Sequence, residues 1–317
     1  MKTVLVTGGL GYIGKIVVKH LHKEGYNVII LDKKDKIKNK NIEKYCKKIY
    51  LNIDIKNAAE VFGVFIANKI DIVVHLAGEI SVAESEHNAT KYYNNNVLGS
   101  INILDAMVCF NVKRIIFAST ASVYGNMFTD GMVSESSRTR PVNVYARTKL
   151  IVEDIMKDYK NIHSINYTAL RFFNVAGADL DNEFGEDHKV EEHLIPNMLS
   201  SNDVTIFGND YDTPDGTCVR DYVHVQDLAE AVLLSIKQKH LPAVNIGAGK
   251  TYSNLEIVNT IEKITKNKKN ITFGARRPGD PDHLQSDISL ANDVLGFNPQ
   301  YSDINTIIKT AYNWHKK

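Results

Sequence analysis

The sequence predicts an α/β chain with a doubly wound parallel sheet and a smaller C-terminal lobe. Three observations predict it. Short β-branched runs alternate with amphipathic helix patterns through the first half, a glycine-rich turn follows the first run, and a carboxylate closes the second. Continuous apolar strands spaced by helices mark a sheet covered on both faces, which parallel strands with crossover helices provide.

The first strand reads "KTVLV", and an apolar stripe at helical spacing follows over 12–24. "NVIIL" at 27–31 is the second strand, followed by a helix over 55–68. "IDIVVHLAG" leads to a long helix over 89–110, "KRIIFAST" to a helix over 143–160, and "YTALRFFNV" closes the series at 167–175. Beyond Asn174 the pattern becomes irregular, with loop-like "GADLDNEFGEDHK" and "GNDYDTPDGT" and helices near 226–239, 253–267 and 302–316. The change places a boundary between 1–173 and 174–317, the second part interleaved with the first. There is no internal repeat and no low-complexity linker.

At 317 residues the chain can bury one large core or two modest ones. Its formal charge of +1 gives no field that selects nucleic acid or an anionic membrane. The basic segment from Lys33 to Lys48 lacks interleaved aromatics for base stacking and reads as solvated surface. Cys46, Cys109 and Cys218 are odd in number and far apart, as reduced thiols are. The run "VLV" is too short for a signal-peptide core, and no stretch approaches a membrane span. A soluble cytoplasmic protein is the expectation.

The segment "TGGLGYIG" sits between first strand and first helix, the context of a phosphate-binding turn. Gly8, Gly11 and Gly14 supply a tight turn, close backbone approach to a pyrophosphate and helix packing. Gly9, Gly11 and Gly14 satisfy the other common spacing, so the glycines alone do not choose a subclass. Asp32 ends the second strand, where a carboxylate meets an adenosine ribose in a Rossmann-type site. It repels a 2′-phosphate and favours NAD over NADP, although Lys33 and Lys34 act the other way.

In "YARTK", Tyr145 and Lys149 share one helix face a turn apart. An ammonium near a phenol favours the phenolate, which would make Tyr145 a usable acid or base. The same spacing recurs at Tyr312 and Lys316 in "YNWHK", so the pair takes its meaning from its surroundings.

Those surroundings resemble the extended short-chain dehydrogenase/reductase superfamily, in "TGGLGYIG", "HLAG" at 75–78, "NNV" at 95–97, "FASTASVYG" at 117–125 and "YARTK". The second half is similar to its UDP-glucose 4-epimerase family, in "LRFFNVAGA" at 170–178, "HLIPNML" at 193–199, "IFGNDYDTPDGTCVRDYVHVQDLAEA" at 206–231 and "ARRPGDPDHL" at 275–284. The resemblance implies tightly bound NAD and interconversion of UDP-glucose and UDP-galactose through a 4-keto sugar, a step of galactose metabolism. It implies Tyr145, Lys149 and Thr120 as the catalytic set, with Lys149, together with the positive nicotinamide, lowering the tyrosine pKa and also holding the nicotinamide ribose.

For the cofactor it implies Gly8, Gly11, Tyr12, Ile13, Gly14 and Asp32 at the glycine turn. It adds Asp54 and Ile55 near the adenine, Leu76, Ala77 and Gly78 along the pyrophosphate, and Asn96, Ser119 and Phe172 near the nicotinamide. A lysine that often follows the "AG" pair in relatives is replaced where Ile80 stands. For the substrate it implies Arg220 and Arg277 at the diphosphate, which suits a planar guanidinium. Asn174 is implied at the diphosphate or sugar, Leu194, Thr205 and Phe207 at the uracil, Asp280 at the uridine ribose, and Leu284 at the hexose. Leucine there is intermediate in size, which leaves acceptance of the N-acetylated pair open.

Sugar-nucleotide 4,6-dehydratases carry an Asp-Glu pair after the catalytic Thr; here Ala121 and Ser122 stand there, leaving oxidation and return at carbon 4. His75 and His224 read as structural, and no metal site is expected. Helices 89–110 and 143–160 match a family dimer interface, which implies a homodimer. Two other readings stand beside this one. Another NAD-dependent nucleotide-sugar oxidoreductase or epimerase of the superfamily would share the site, whereas a non-catalytic dinucleotide sensor would not need its tuned base.

Overall fold

The strand Thr3–Thr7 lies inside a seven-stranded sheet whose order is Leu241–Ile246, Asn166–Phe172, Arg114–Thr120, Ile72–His75, Thr3–Thr7, Asn27–Leu31, Lys48–Tyr50. Every pairing from Lys48–Tyr50 to Arg114–Thr120 is parallel. The sheet grows from Thr3–Thr7 to one side through two strands and then returns to grow on the other. That reversal opens a crevice at the carboxyl ends of Thr3–Thr7 and Ile72–His75, where Gly8 begins the glycine turn. The computed structural model describes residues 1–126, 132–187, 191, 193–277 and 280–317.

The strands and helices expected from periodicity are present, with three differences. Lys48–Tyr50 is an edge strand inside the basic segment; three residues with a leading lysine carry too little alternation to be read as one. The run 167–175 is broken, because Asn166–Phe172 joins the large sheet while Asn174–Ala176 pairs with Val219–His224. The helix 89–110 is three pieces, Ala89–Tyr92, a π-helical stretch Tyr93–Leu98 and Gly99–Cys109. The wide turn brings consecutive Asn95 and Asn96 into the interior.

The chain divides into two compact units. The first comprises Met1–Val123, Pro141–Arg171 and Ala229–Val244, the second Tyr124–Arg140, Phe172–Leu228 and Asn245–Lys317. In the first unit, Leu5, Ile29, Val73, Ile115 and Phe117 of the sheet pack with Ile103, Met107, Val152 and Met156 of the helices. Each such buried side chain contributes roughly 1.5–3 kcal/mol. The second unit has its own core, where Ile195, Ile257, Ile261, Ile307 and Ile308 of the helices Leu194–Ser200, Asn254–Thr265 and Ile304–His315 meet. Loop positions 188–189 and positions 278–279 within "ARRPGDPDHL" lie outside the described residues. No described helix is long and apolar enough to cross a membrane.

Candidate active site

Gly8 has a φ of +69°, and a Cβ on it would lie 2.8 Å from the Ala77 amide nitrogen. Its own N–H donates to the Leu31 carbonyl at 2.8 Å, while Gly11 N–H donates to the Gly8 carbonyl at 3.0 Å. A Cβ on Gly14 would overlap the Gly8 carbonyl oxygen and stand 2.8 Å from Gly9 Cα, so the helix Tyr12–Lys23 rests on the turn as closely as glycine permits. Gly11 caps that helix with no side-chain hydrogen bond, and its first turn holds no acid. Tyr12 is buried and Ile13 half-buried there. A cradle of backbone at an uncapped helix start fits a pyrophosphate.

Asp32 is buried at the end of its strand, accepting from Leu10 N–H at 2.9 Å and Lys34 N–H at 3.0 Å. It ties the glycine turn to the second strand. Its carbonyl accepts from Ile53 N–H at 3.2 Å, which brings Asp54 and Ile55 alongside. Asp54 pairs with Lys56 at 3.3 Å, and the Ile55 carbonyl accepts from Asn102 at 2.8 Å. Leu76 and Ala77 donate to the Thr7 carbonyl and hydroxyl at 3.2 and 3.3 Å, closing the other side of the crevice.

His75 stands beneath this crevice. Ser100 donates its hydroxyl proton to the Asn96 carbonyl at 2.5 Å, so it accepts from His75 Nε2–H at 2.9 Å. Nδ1 is then the acceptor for the Thr7 hydroxyl at 2.6 Å. Burial first, and the Lys149 cation second, push the His75 pKa down to about 3, which keeps it neutral. Both nitrogens are satisfied, as the structural reading of this residue requires.

Asn96 joins the crevice to the helix Val144–His163. Its Oδ1 accepts from Glu79 N–H at 2.8 Å, and its amide donates to the Glu79 carbonyl and the Thr148 hydroxyl, each at 3.1 Å. Gly78 is close enough to both groups that a Cβ there would meet Lys149 Nζ at 3.2 Å and Asn96 Oδ1 at 3.4 Å. Ile80 is exposed, while Glu79 pairs with Lys33 and, at 3.4 Å, with Lys91. Lys33 and Lys91 meet from different segments of the chain at Glu79, next to Ile80.

Asn143 caps the helix Val144–His163 by accepting from Ala146 N–H at 2.8 Å, which fixes where Tyr145 and Lys149 emerge. Lys149 is buried and donates to the Ala118 carbonyl at 2.8 Å, with its ammonium 4.9 Å from the Phe117 ring centre. Tyr145 faces Thr120, whose hydroxyl donates to Ser122 Oγ at 3.2 Å. Burial pushes the Tyr145 pKa up to about 12 and the Thr120 hydroxyl pulls against it, while burial brings Lys149 down to about 8. The low-dielectric surroundings penalise each charged form alone. Ser119, beside Thr120, turns its hydroxyl to Glu153 at 2.5 Å.

In the second unit Arg220 is held by the carbonyls of Val219 and Pro281 at 2.9 and 2.7 Å and pairs with Asp280 at 3.5 Å. Leu284 lies in register beside Arg220. The exposed Arg277 stacks over the Phe207 ring at 4.2 Å. Thr205 is exposed, bonding Thr272 at 3.1 Å; Asn174 is exposed, Leu194 half-buried and Phe172 buried. His224 is a structural hub, with Nδ1 accepting from Gln226 N–H at 3.0 Å and Nε2 bonding Thr310 at 2.9 Å. Burial lowers its pKa to about 4.

Sequence reasoning missed Glu153, Arg171, Thr7 and Ser100, whose partners are set by packing; only the four-residue step from Lys149 to Glu153 offered a signal. It also missed one gathering of possible metal ligands among the described residues, Glu186, Glu191 and His193, with donor atoms within 4.8 Å of one another. The hydrogen bond from His193 Nδ1 to Glu186 accounts for their closeness.

Residues 4–247 match the family described as NAD dependent epimerase/dehydratase. A UDP-glucose 4-epimerase from Lactobacillus helveticus is 42% identical over 322 residues, covering 99% of this chain and 97% of that one. Among solved structures, the UDP-glucose 4-epimerase of Brucella ovis in complex with NAD matches with a TM-score of 0.92 at 37% identity, covering 98% of each chain. That of Bifidobacterium longum in complex with NAD+ and UDP matches at 0.92 and 34%, covering 99% of this chain and 98% of that one.

Proposed function

Because the chain belongs to the NAD dependent epimerase/dehydratase family, we propose that it is an NAD-dependent isomerase interconverting UDP-glucose and UDP-galactose through a transient 4-keto sugar. The observation that carries this reading is Tyr145 beside Thr120 and buried Lys149, with Ala121 and Ser122 in place of further acids. A site with one proton-transfer group suits reversible oxidation at one carbon and offers no second group for elimination.

Bound NAD supplies reversible hydride acceptance at carbon 4 and, while oxidised, a positive charge beside the phenol. The proton is the task of the chain. Tyr145, as phenolate, takes the proton of the 4-hydroxyl and later returns it to the 4-keto oxygen after the sugar presents its other face. Thr120 would hydrogen-bond that hydroxyl, and Lys149 would oppose the cost of burying the phenolate. Gly8, Gly11, Tyr12, Ile13 and Gly14 would hold the pyrophosphate, Asp32 the adenosine ribose, and Asp54 and Ile55 the adenine side. Leu76, Ala77, Gly78, Asn96, Ser119 and Phe172 would line the remainder.

Arg220 and Arg277 would bind the diphosphate, the first preorganised by two carbonyls and Asp280, the second by its stack on Phe207. Leu194, Thr205 and Phe207 would receive the uracil, Asp280 the ribose, and Asn174 a phosphate or sugar oxygen. Leu284 would border the hexose. Exposed Leu98 and Phe110 on the first segment assigned to a dimer interface, and Ile162 on the helix Val144–His163 just beyond the second, support a homodimer, which light scattering would report as twice the 35.6 kDa chain mass. Three free cysteines and the substrate class support a cytoplasmic place in galactose metabolism.

The test incubates purified protein with UDP-galactose and no added cofactor, and follows UDP-glucose by chromatography. Product without net NADH supports the reading. Failure with NAD supplied, and with the N-acetylated substrate, would refute it; steady NADH release would indicate an oxidoreductase.

A further inference from the structure

Glu153 lies one turn beyond Lys149 and two beyond Tyr145, on a ridge of residues spaced by four. Each member of that ridge meets one residue at the end of the strand Arg114–Thr120. Tyr145 faces Thr120, Lys149 donates to the Ala118 carbonyl at 2.8 Å, and Glu153 Oε1 accepts from the Ser119 hydroxyl at 2.5 Å. Arg171, from the neighbouring strand, completes the carboxylate with Nε on Oε1 at 3.1 Å and Nη2 on Oε2 at 2.6 Å. Glu153, Ser119 and Arg171 are all buried.

A buried ion pair adds little net stability, because desolvation offsets its attraction. What it does supply is a fixed anion, and a hydroxyl that donates to a fixed anion is held harder than one that donates to a neutral group. Ser119 is so held, and it is bonded covalently to Thr120. Thr120 is the next residue and the last of the strand, so holding Ser119 against the helix Val144–His163 fixes the backbone from which the Thr120 side chain departs.

We propose that Glu153, with Arg171 as its counter-ion, is a positioning residue: by anchoring Ser119 it fixes Thr120 against Tyr145 for proton transfer. The inference rests on the epimerase reading of that same site. It predicts that stability follows the ion pair whereas turnover follows the acceptor that receives the Ser119 hydroxyl.

Three variants separate the two. Glu153→Gln with Arg171→Met keeps an acceptor oxygen but has no ion pair; Glu153→Met with Arg171→Met has neither, and leaves no charge unpaired. Ser119→Ala keeps the ion pair and removes the tether. kcat and KM for UDP-galactose, urea midpoints and bound NAD are measured for each and for wild type. The expected result is that the Gln/Met variant keeps kcat within about threefold, whereas Met/Met and Ser119→Ala lose about ten- to a hundredfold at unchanged KM, Met/Met with its NAD content unchanged as well, the scale of a small misplacement. Equal kcat in the two double variants, or wild-type kcat in Ser119→Ala, would overturn the proposal. Should the double variants not fold, Ser119→Ala decides alone. An inactive wild type would instead mean that the epimerase reading had failed.

Discussion

The Lys149 ammonium stands 5.9 Å from the centre of the Tyr145 ring and is turned to the Ala118 carbonyl. At that distance, and with burial bringing the lysine itself down to about 8, the phenol stays protonated without further positive charge. In the proposed function the charge of oxidised NAD would supply the rest, coupling formation of the base to the cofactor state able to accept a hydride.

Tyr145→Phe removes only the hydroxyl and leaves the glycine cradle untouched. Turnover of UDP-galactose is expected to fall by about 10²–10⁴, the range for a lost general base, with NAD content unchanged. Near-normal turnover would remove Tyr145 from the mechanism.

Gly14→Ala places a methyl group against the Gly8 carbonyl. The turn must spread, at a cost of about 1–3 kcal/mol for overpacking. Protein purified with this change is expected to carry less NAD, read from its absorbance after denaturation. Full occupancy would show that the helix does not need its close seat on the turn.

His75 makes stability depend on pH. Its folded pKa is about 3 against an ordinary 6.5, so between those values the unfolded chain binds the extra proton. Stability from neutral His75 is full above pH 6.5 and falls as pH drops, by about 2 kcal/mol at pH 5. Urea midpoints at pH 7.5 and pH 5 are expected to differ less in His75→Asn than in wild type. An equal difference would assign the acid sensitivity to other groups.

Leu284, half-buried beside Arg220, sets substrate breadth in the proposed function. Wild type is expected to convert UDP-N-acetylglucosamine as well as UDP-glucose, and Leu284→Tyr to lose the first activity while keeping the second. No product from the N-acetylated substrate, at enzyme levels that turn over UDP-galactose, would rule out dual specificity.

The sequence by itself determined the alternation of strands and helices, the glycine turn, the Asp32 strand end and the Tyr145–Lys149 step. These are legible because they lie within one element or across one turn, where spacing reports geometry directly. Only the tertiary structure decided that 229–244 falls in the first unit, that "YTALRFFNV" divides between two sheets, and that Lys48–Tyr50 forms an edge strand. It also decided the direction of the Tyr145 pKa and the joining of Ser119 to Glu153 and Arg171. Burial and pairing between distant elements belong to the packed neighbours of a residue, and no local window of sequence contains those neighbours.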